Sequence, residues 1–231
     1  MLEPPDLARC HTVLSTVRHG LTELNRDKRV GGRYDAPLIE EGRQQAREAN
    51  GSFDGTHFDV VISSPLSRAL ETAEIIAGIR REDIVVDEES TERSFGEMEG
   101  LTPAQVRERL PQVCYVRFGH VDYSLNPPGG ETFEQLHERA RRFLRRTLEF
   151  HNGKNILLFG HENFLQQLHG VIRGLGPMES LEWAIVNCEL SIRAELPINV
   201  SLLGLRAQRT IVWATLSAGY TGGMALAARP V

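Results

Sequence analysis

The 231-residue sequence predicts an α/β fold: a three-layer αβα sandwich built on a mainly parallel central sheet. Three observations point there. Short apolar runs recur at 11–17, 58–62, 84–86 and 154–159, and each is too short to be a buried helix. Stretches of helical period separate them. Three of these runs also stop abruptly at polar residues, Arg18-His19-Gly20, Ser63-Ser64-Pro65 and Gly160-His161. Parallel strands carry their ligand sites at such carboxyl ends.

The elements follow in order. The strand at 11–17 leads into a polar loop containing Gly31-Gly32 and closed by Pro37, then a helix over 40–50 that Gly51 stops. After the strand at 58–62, a helix over 66–79 places Leu70, Ala73, Ile76 and Ala77 on one face. The short strand at 84–86 precedes an acidic loop. Thr102 caps a helix that runs to 110 with Pro103 at its first position. Residues 111–130 have weak periodicity, with prolines before Gly129-Gly130, and read as a specificity excursion. A long helix over 132–151, the strand at 154–159 and a helix over 163–173 come next. Strands at 188–194 and 210–215 complete the sheet, and 217–231 reads as a flexible tail. Without internal repeat or linker, residues 1–231 read as one domain.

Composition narrows the function. Hydrophobic residues at 41 % and charged residues at 25 % describe an ordinary globular chain. A net charge of −5 argues against a nucleic-acid partner. No run reaches the roughly 18–20 apolar residues of a membrane span, and the first ten residues lack a signal-peptide pattern. Cys10, Cys114 and Cys188 form no CxxC pair. The expected setting is cytoplasmic, without a membrane partner.

Chemistry converges on the strand ends. Arg18, Arg68, His19 and His161 would repel one another unless an anion lay among them. An arginine fork matches phosphate oxygens, and a neutral histidine is a competent nucleophile. Phosphoryl transfer asks mainly for positioning and for donors around the oxygens. The leaving group needs a proton, which any of Glu89, Glu92, Glu97 and Glu99 could supply from the acidic loop.

Five motifs stand in order: Arg18-His19-Gly20 with Asn25; Ser64-Pro-Leu-Ser-Arg68; Glu92-Arg-Ser-Phe-Gly96; Pro128-Gly-Gly-Glu-Thr132; and Gly160-His161. Together they resemble branch one of the histidine phosphatase, or phosphoglycerate mutase-like, superfamily. The resemblance implies that His19 is the nucleophile forming a phosphohistidine. It implies that Arg18, Arg68 and His161 hold the phosphoryl oxygens and that Glu92 is the acid. It also implies that Asn25, Gly31, Gly32 and Asn163 contact phosphate or substrate. No metal and no cofactor are implied; the partner is a small phosphorylated metabolite, and a homodimer is left open. Leu21, Leu24 and Glu162 depart from the pattern, and Glu162 is expected to point away from the pocket.

Mutases resemble such phosphatases but carry a long, arginine-bearing insertion between the acid and the second histidine. Only 69 positions separate Glu92 from His161, which favours hydrolysis over a cofactor-dependent phosphoglycerate mutase. A non-catalytic phospho-ligand binder would have lost one of these groups, and none is lost. His161-Glu162 does not extend to HExxH, because Leu165 holds the last position, and no GxxxxGK[ST] run exists. Arg139, Arg141, Arg142, Arg145 and Arg146 read as a solvated helix face paired with local glutamates. His120, Tyr115, Arg117 and Tyr123 in the excursion are further candidates for substrate contact. His11, His57, His137 and His151 read as surface or packing residues, and Trp183 and Trp213 as core or interface aromatics.

Overall fold

Along residues 156–159 the side chains alternate between two cores. Ile156 and Leu158 face one hydrophobic cluster; Leu157 and Phe159 face another. All four are fully buried. A strand buried on both faces must lie inside a sheet covered by helices on each side, and the computed structural model has that architecture. It describes residues 11–53, 55–183, 185–197 and 211–213.

Six strands form the central sheet: β1 (His11–Arg18), β2 (Val60–Ser63), β3 (Val85–Val86), β6 (Asn155–Gly160), β7 (Leu190–Pro197) and β8 (Ile211–Trp213). Their order is β3-β2-β6-β1-β7-β8. The four strands from β3 to β1 are parallel, whereas β7 and β8 are antiparallel additions at one edge. The sheet is therefore mainly parallel, as the sequence predicts.

The helices are α1 (Glu23–Arg26), α2 (Glu40–Asn50), α3 (Ser67–Ala77), α4 (Pro103–Arg109), α5 (Phe133–Phe150) and α6 (Glu162–Arg173). α2 and α3 cover one face, where Ala46, Leu70, Ala73 and Ile76 meet Val17 and Phe159. α5 and α6 cover the other, where Leu136, Phe143, Phe164 and Leu168 meet Leu14 and Ile156. Burying a side chain of this size stabilises the fold by about 1.5–3 kcal/mol. Local chemistry sets the boundaries: Thr102 with Gln105 and Thr132 with Gln135 form reciprocal capping boxes at α4 and α5. Gly78 and Gly174 end α3 and α6 in the left-handed conformation.

The segment 111–130 holds an antiparallel hairpin, β4 (Tyr115–Phe118) and β5 (Val121–Ser124). Gly119, at φ +57°, takes the first position of its two-residue turn. Val116, Phe118 and Tyr123 pack onto the α5–α6 core, while Arg117 and Asp122 pair outside at 2.7 Å. Two four-residue strands give too short an alternation to stand out in the sequence.

The arginines of α5 do not form one solvated face. Arg141 pairs locally with Glu138, and Arg142 and Arg146 reach Glu89 and Asp87. Arg139 is 6 % exposed and turns inward. His137 is a buried packing residue bonded to Gln167, and Trp183 is half-buried under the Arg173 guanidinium. The side chain of Trp213 and the tail expected over 217–231 lie outside the described residues. No helix among the described residues is long and apolar enough to cross a membrane.

Candidate active site

Strand register brings the polar ends together. Arg18 pairs with Gly160 across β1–β6, and Ser63 pairs with Phe159 across β2–β6. The backbone continues both pairings, from His19 N–H to the Gly160 carbonyl and from Ser64 N–H to the Phe159 carbonyl, each at 3.1 Å. His19, Ser64 and His161 therefore leave the sheet side by side. The His19 and His161 ring centroids are 5.0 Å apart.

His19 is 4 % exposed and held on every side. Its Nδ1–H donates to the Gly20 carbonyl at 2.7 Å. Arg68 Nε donates to its Nε2 at 3.2 Å, and Asn187 Nδ2 donates to its main-chain carbonyl. The ring is thus the tautomer whose Nε2 carries a lone pair. Burial first, then the Arg68 and Arg18 charges, holds its pKa well below that of a free histidine. The following glycine has a steric reason: a Cβ on Gly20 would lie 2.5 Å from the Gly42 carbonyl oxygen of α2.

Arg68, in the first turn of α3, is anchored by its own fork. Nη1 donates to the Tyr34 carbonyl at 2.8 Å and Nη2 to the Gly32 carbonyl at 2.7 Å. The Gly31–Gly32 loop therefore positions an arginine as well as lining the cavity. Arg18 donates through Nη1 to the Ile185 carbonyl at 2.8 Å, and its Nη2 lies 2.8 Å from Glu162 Oε2. His161 is fully buried, with Nε2 bonded to Ser64 Oγ at 2.7 Å. Burial, then Arg68, lowers its pKa well below the usual value.

Glu92 lies across the cavity, 7 % exposed. Its Oε1 accepts from the N–H groups of Arg93 and Phe164 at 2.7 and 3.1 Å, and Oε2 from that of Asn163 at 3.3 Å. It thus sits at the N-terminus of α6. Burial raises its pKa above the carboxylate value, Glu162 adds to this, and the N–H bonds work against it. Arg139 holds the loop that carries Glu92: its guanidinium binds the carbonyls of Glu89, Thr91 and Glu92 and grips Glu131 through two nitrogens.

Arg18, His19, Gly31, Gly32, Arg68, Glu92 and Glu162 line a cavity of about 200 Å³ together with Thr22, Leu24, Asn25, Arg29, Val30, Phe95 and Asn163, whereas His161 is fully buried and is not part of this lining. Asn25 takes part through the capping box it forms with Thr22. Three buried polar atoms have no protein partner: Arg18 Nε and Asn163 Oδ1 of lining residues, and Nδ1 of His161 beside His19. Among the described residues, none from 111–130, read from the sequence as the specificity excursion, lines this cavity, and Tyr123 is buried against Gln166. No group of three or more His, Cys, Asp or Glu among the described residues is placed to hold a metal ion.

One expectation is overturned. Glu162 does not point away: it lines the cavity and pairs with Arg18, because the first turn of α6 faces the end of β1. Sequence reasoning also missed Asn187, Thr72, which receives the Gly20 N–H at 3.0 Å, and the supporting role of Arg139. Ser64, a polar strand end in the sequence, is the hydrogen-bond partner of His161 Nε2. Nothing local signals Asn187, which is 168 positions from its partner His19.

Comparison with known proteins agrees with this geometry. Residues 14–195 match the family model of the histidine phosphatase superfamily (branch 1). The chain is 37 % identical over 158 residues to a bifunctional protein of Mycobacterium tuberculosis, which covers 68 % of this chain but 43 % of that protein. The chain thus spans less than half the length of this relative. It is 31 % identical over 180 residues to the uncharacterized phosphatase PhoE of Bacillus subtilis, covering 78 % of this chain and 86 % of the relative. A 2,3-bisphosphoglycerate-dependent phosphoglycerate mutase of Parvibaculum lavamentivorans is 34 % identical over 166 residues, covering 68 % and 77 %. The solved alpha-ribazole phosphatase of Shigella flexneri superposes with a TM-score of 0.69 at 25 % identity, covering 81 % of this chain and 91 % of the other. With the family model spanning most of its length and the motif residues gathered at one sheet edge, the chain belongs to branch 1 of the histidine phosphatase superfamily.

Proposed function

We propose that the chain is a metal-independent phosphatase that hydrolyses a small phosphate monoester through a phosphohistidine on His19. The observation that carries this reading is the fixed tautomer: with Nδ1–H given to the Gly20 carbonyl, Nε2 is the nucleophilic atom and faces the arginines. Nε2 attacks phosphorus and the ester P–O bond breaks. Glu92, protonated more readily than an ordinary carboxylate, gives its proton to the leaving oxygen. Water then attacks the phosphohistidine, Glu92 takes a proton from it, and inorganic phosphate leaves. Arg18 and Arg68 balance the charge on the equatorial oxygens, and the neutral His161 contributes a hydrogen bond, which is what phosphoryl transfer requires of a protein.

Hydrolysis is favoured over mutase transfer because the segment between Glu92 and His161 adds no arginine to the cavity lining. The arginines there are Arg18, Arg29 and Arg68, while Arg117 of the hairpin pairs at the surface. The test is phosphate release from a panel of monoesters in the presence of chelator, with 3-phosphoglycerate and a bisphosphoglycerate primer included. Release without added metal is the expected result. Isomerisation without release would make the protein a mutase.

A further inference from the structure

Arg18 and Arg68 both face the cavity, but their surroundings differ in charge. The two terminal nitrogens of Arg68 rest on neutral main-chain carbonyls of Tyr34 and Gly32, and Glu92, Asp35 and Glu99 act on its charge without a direct ion pair. Arg18 has one terminal nitrogen on the Ile185 carbonyl and the other on the carboxylate of Glu162, at 2.8 Å. Both members of this pair are largely buried, with side chains 15 % and 28 % exposed, and both line the cavity beside His19 and Glu92. Of the three arginines that line the cavity, Arg18, Arg29 and Arg68, only Arg18 is already held in a direct ion pair with a carboxylate of the lining.

We infer that Glu162 is an internal counter-anion that competes with the phosphoryl group for Arg18 and so sets the affinity of the site for phosphate. This rests on the phosphatase reading above. A phosphoryl oxygen reaches Nη2 of Arg18 only as the Glu162 carboxylate gives it up, and the carboxylate regains it when phosphate leaves. The positive charge that a second arginine offers a dianion is thereby reduced. Binding of both substrate and product is weakened, and product escapes more readily. Glu162 acts through Arg18 and is a positioning residue.

Glu162→Gln keeps the shape and the capacity to accept from Arg18 while removing the charge. In calorimetric titration of the full chain with inorganic phosphate, the variant binds about tenfold more tightly than the parent. In steady state on nitrophenyl phosphate, KM and the inhibition constant of phosphate fall together while kcat does not rise. Glu162→Asp, which retains the charge, stays near the parent. Phosphate binding that is unchanged or weaker in Glu162→Gln, in a parent that does bind phosphate, overturns the role given to Glu162 and leaves the phosphatase reading standing. A loss of rate confined to esters bearing an ammonium group also overturns it, by assigning the carboxylate to the substrate. Failure of the parent both to hydrolyse nitrophenyl phosphate and to bind phosphate overturns both.

Discussion

Arg68 Nε stands 3.2 Å from His19 Nε2 and donates to it, while the opposite nitrogen of the same ring donates to Gly20. The guanidinium marks where negative charge is to collect, and the Nε2 lone pair exchanges this hydrogen bond for phosphorus when it attacks. A histidine gripped from both sides cannot rotate away, and burial, reinforced by the Arg68 and Arg18 charges, keeps it unprotonated.

His19→Ala is expected to lower phosphate release on the order of 10⁴-fold or more, since loss of a nucleophile removes the reaction path itself. The side chain is buried, so its removal leaves a void and lowers stability by about 1–3 kcal/mol. Phosphate release, thermal unfolding and acid-quench trapping of a phosphorylated chain check this together. Turnover near the parent rate would remove His19 from the chemistry.

Glu92→Gln is expected to slow alkyl phosphates far more than nitrophenyl phosphate, whose leaving oxygen needs no proton. The pH profile carries the sign. The rate rises with pH as His19 loses its proton, and this limb lies below the range of free histidine because its pKa is depressed. The rate falls again as pH passes the raised pKa of Glu92, where the acid has lost its proton. The alkaline limb belongs to alkyl phosphates, whose leaving oxygen needs the proton, and it disappears in Glu92→Gln. Equal losses on both ester classes would move the acid to another carboxylate of the loop.

The fold and the core of the site were legible where the signal was local. Apolar runs ending at Arg18, Ser63 and Gly160 located the strands, and the Thr102-Pro103 pair located a helix start. What escaped depends on distant partners. Arg139 binds carbonyls 47–50 positions away. Its spacing does carry a clue, because it lies three residues after Leu136 and four before Phe143, on the buried stripe of α5. An arginine on an apolar stripe signals a buried charge with a partner. For Glu162 the sequence could not reveal that the end of β1 points Arg18 at the first turn of α6.

Arg139→Lys is expected to cost about 2–4 kcal/mol of stability, since a single ammonium cannot replace a fork that satisfies a buried carboxylate and three carbonyls. The loop that bears Glu92 loses its anchor. The rate on alkyl phosphates should therefore drop more than the rate on nitrophenyl phosphate, the same bias as in Glu92→Gln but smaller. Denaturant melts and the ratio of the two rates check the claim; a stability loss with the ratio unchanged would separate Arg139 from the acid.

His169 tests the buried histidines as determinants of acid stability. It lies under the sheet, 4 % exposed, with Nε2 2.9 Å from Thr16 Oγ1. Burial pushes its pKa down to about 3. In the unfolded chain it takes up a proton near the ordinary value of about 6.5, so between these values the unfolded state binds more protons than the folded one. Stability is therefore complete above about pH 6.5 and is lost as pH falls toward 3, by at most about 1.4 kcal/mol per pH unit for this one group. His19 and His161 act in the same direction, whereas Glu92, with a raised pKa, acts against them. His169→Gln can keep a hydrogen bond to Thr16 and removes the titration. Urea melts from pH 7 to pH 4 should show the variant losing stability less steeply than the parent, by up to that slope, with activity at neutral pH retained. Parallel slopes would mean that His169 titrates alike in the folded and unfolded protein, so that its burial is offset.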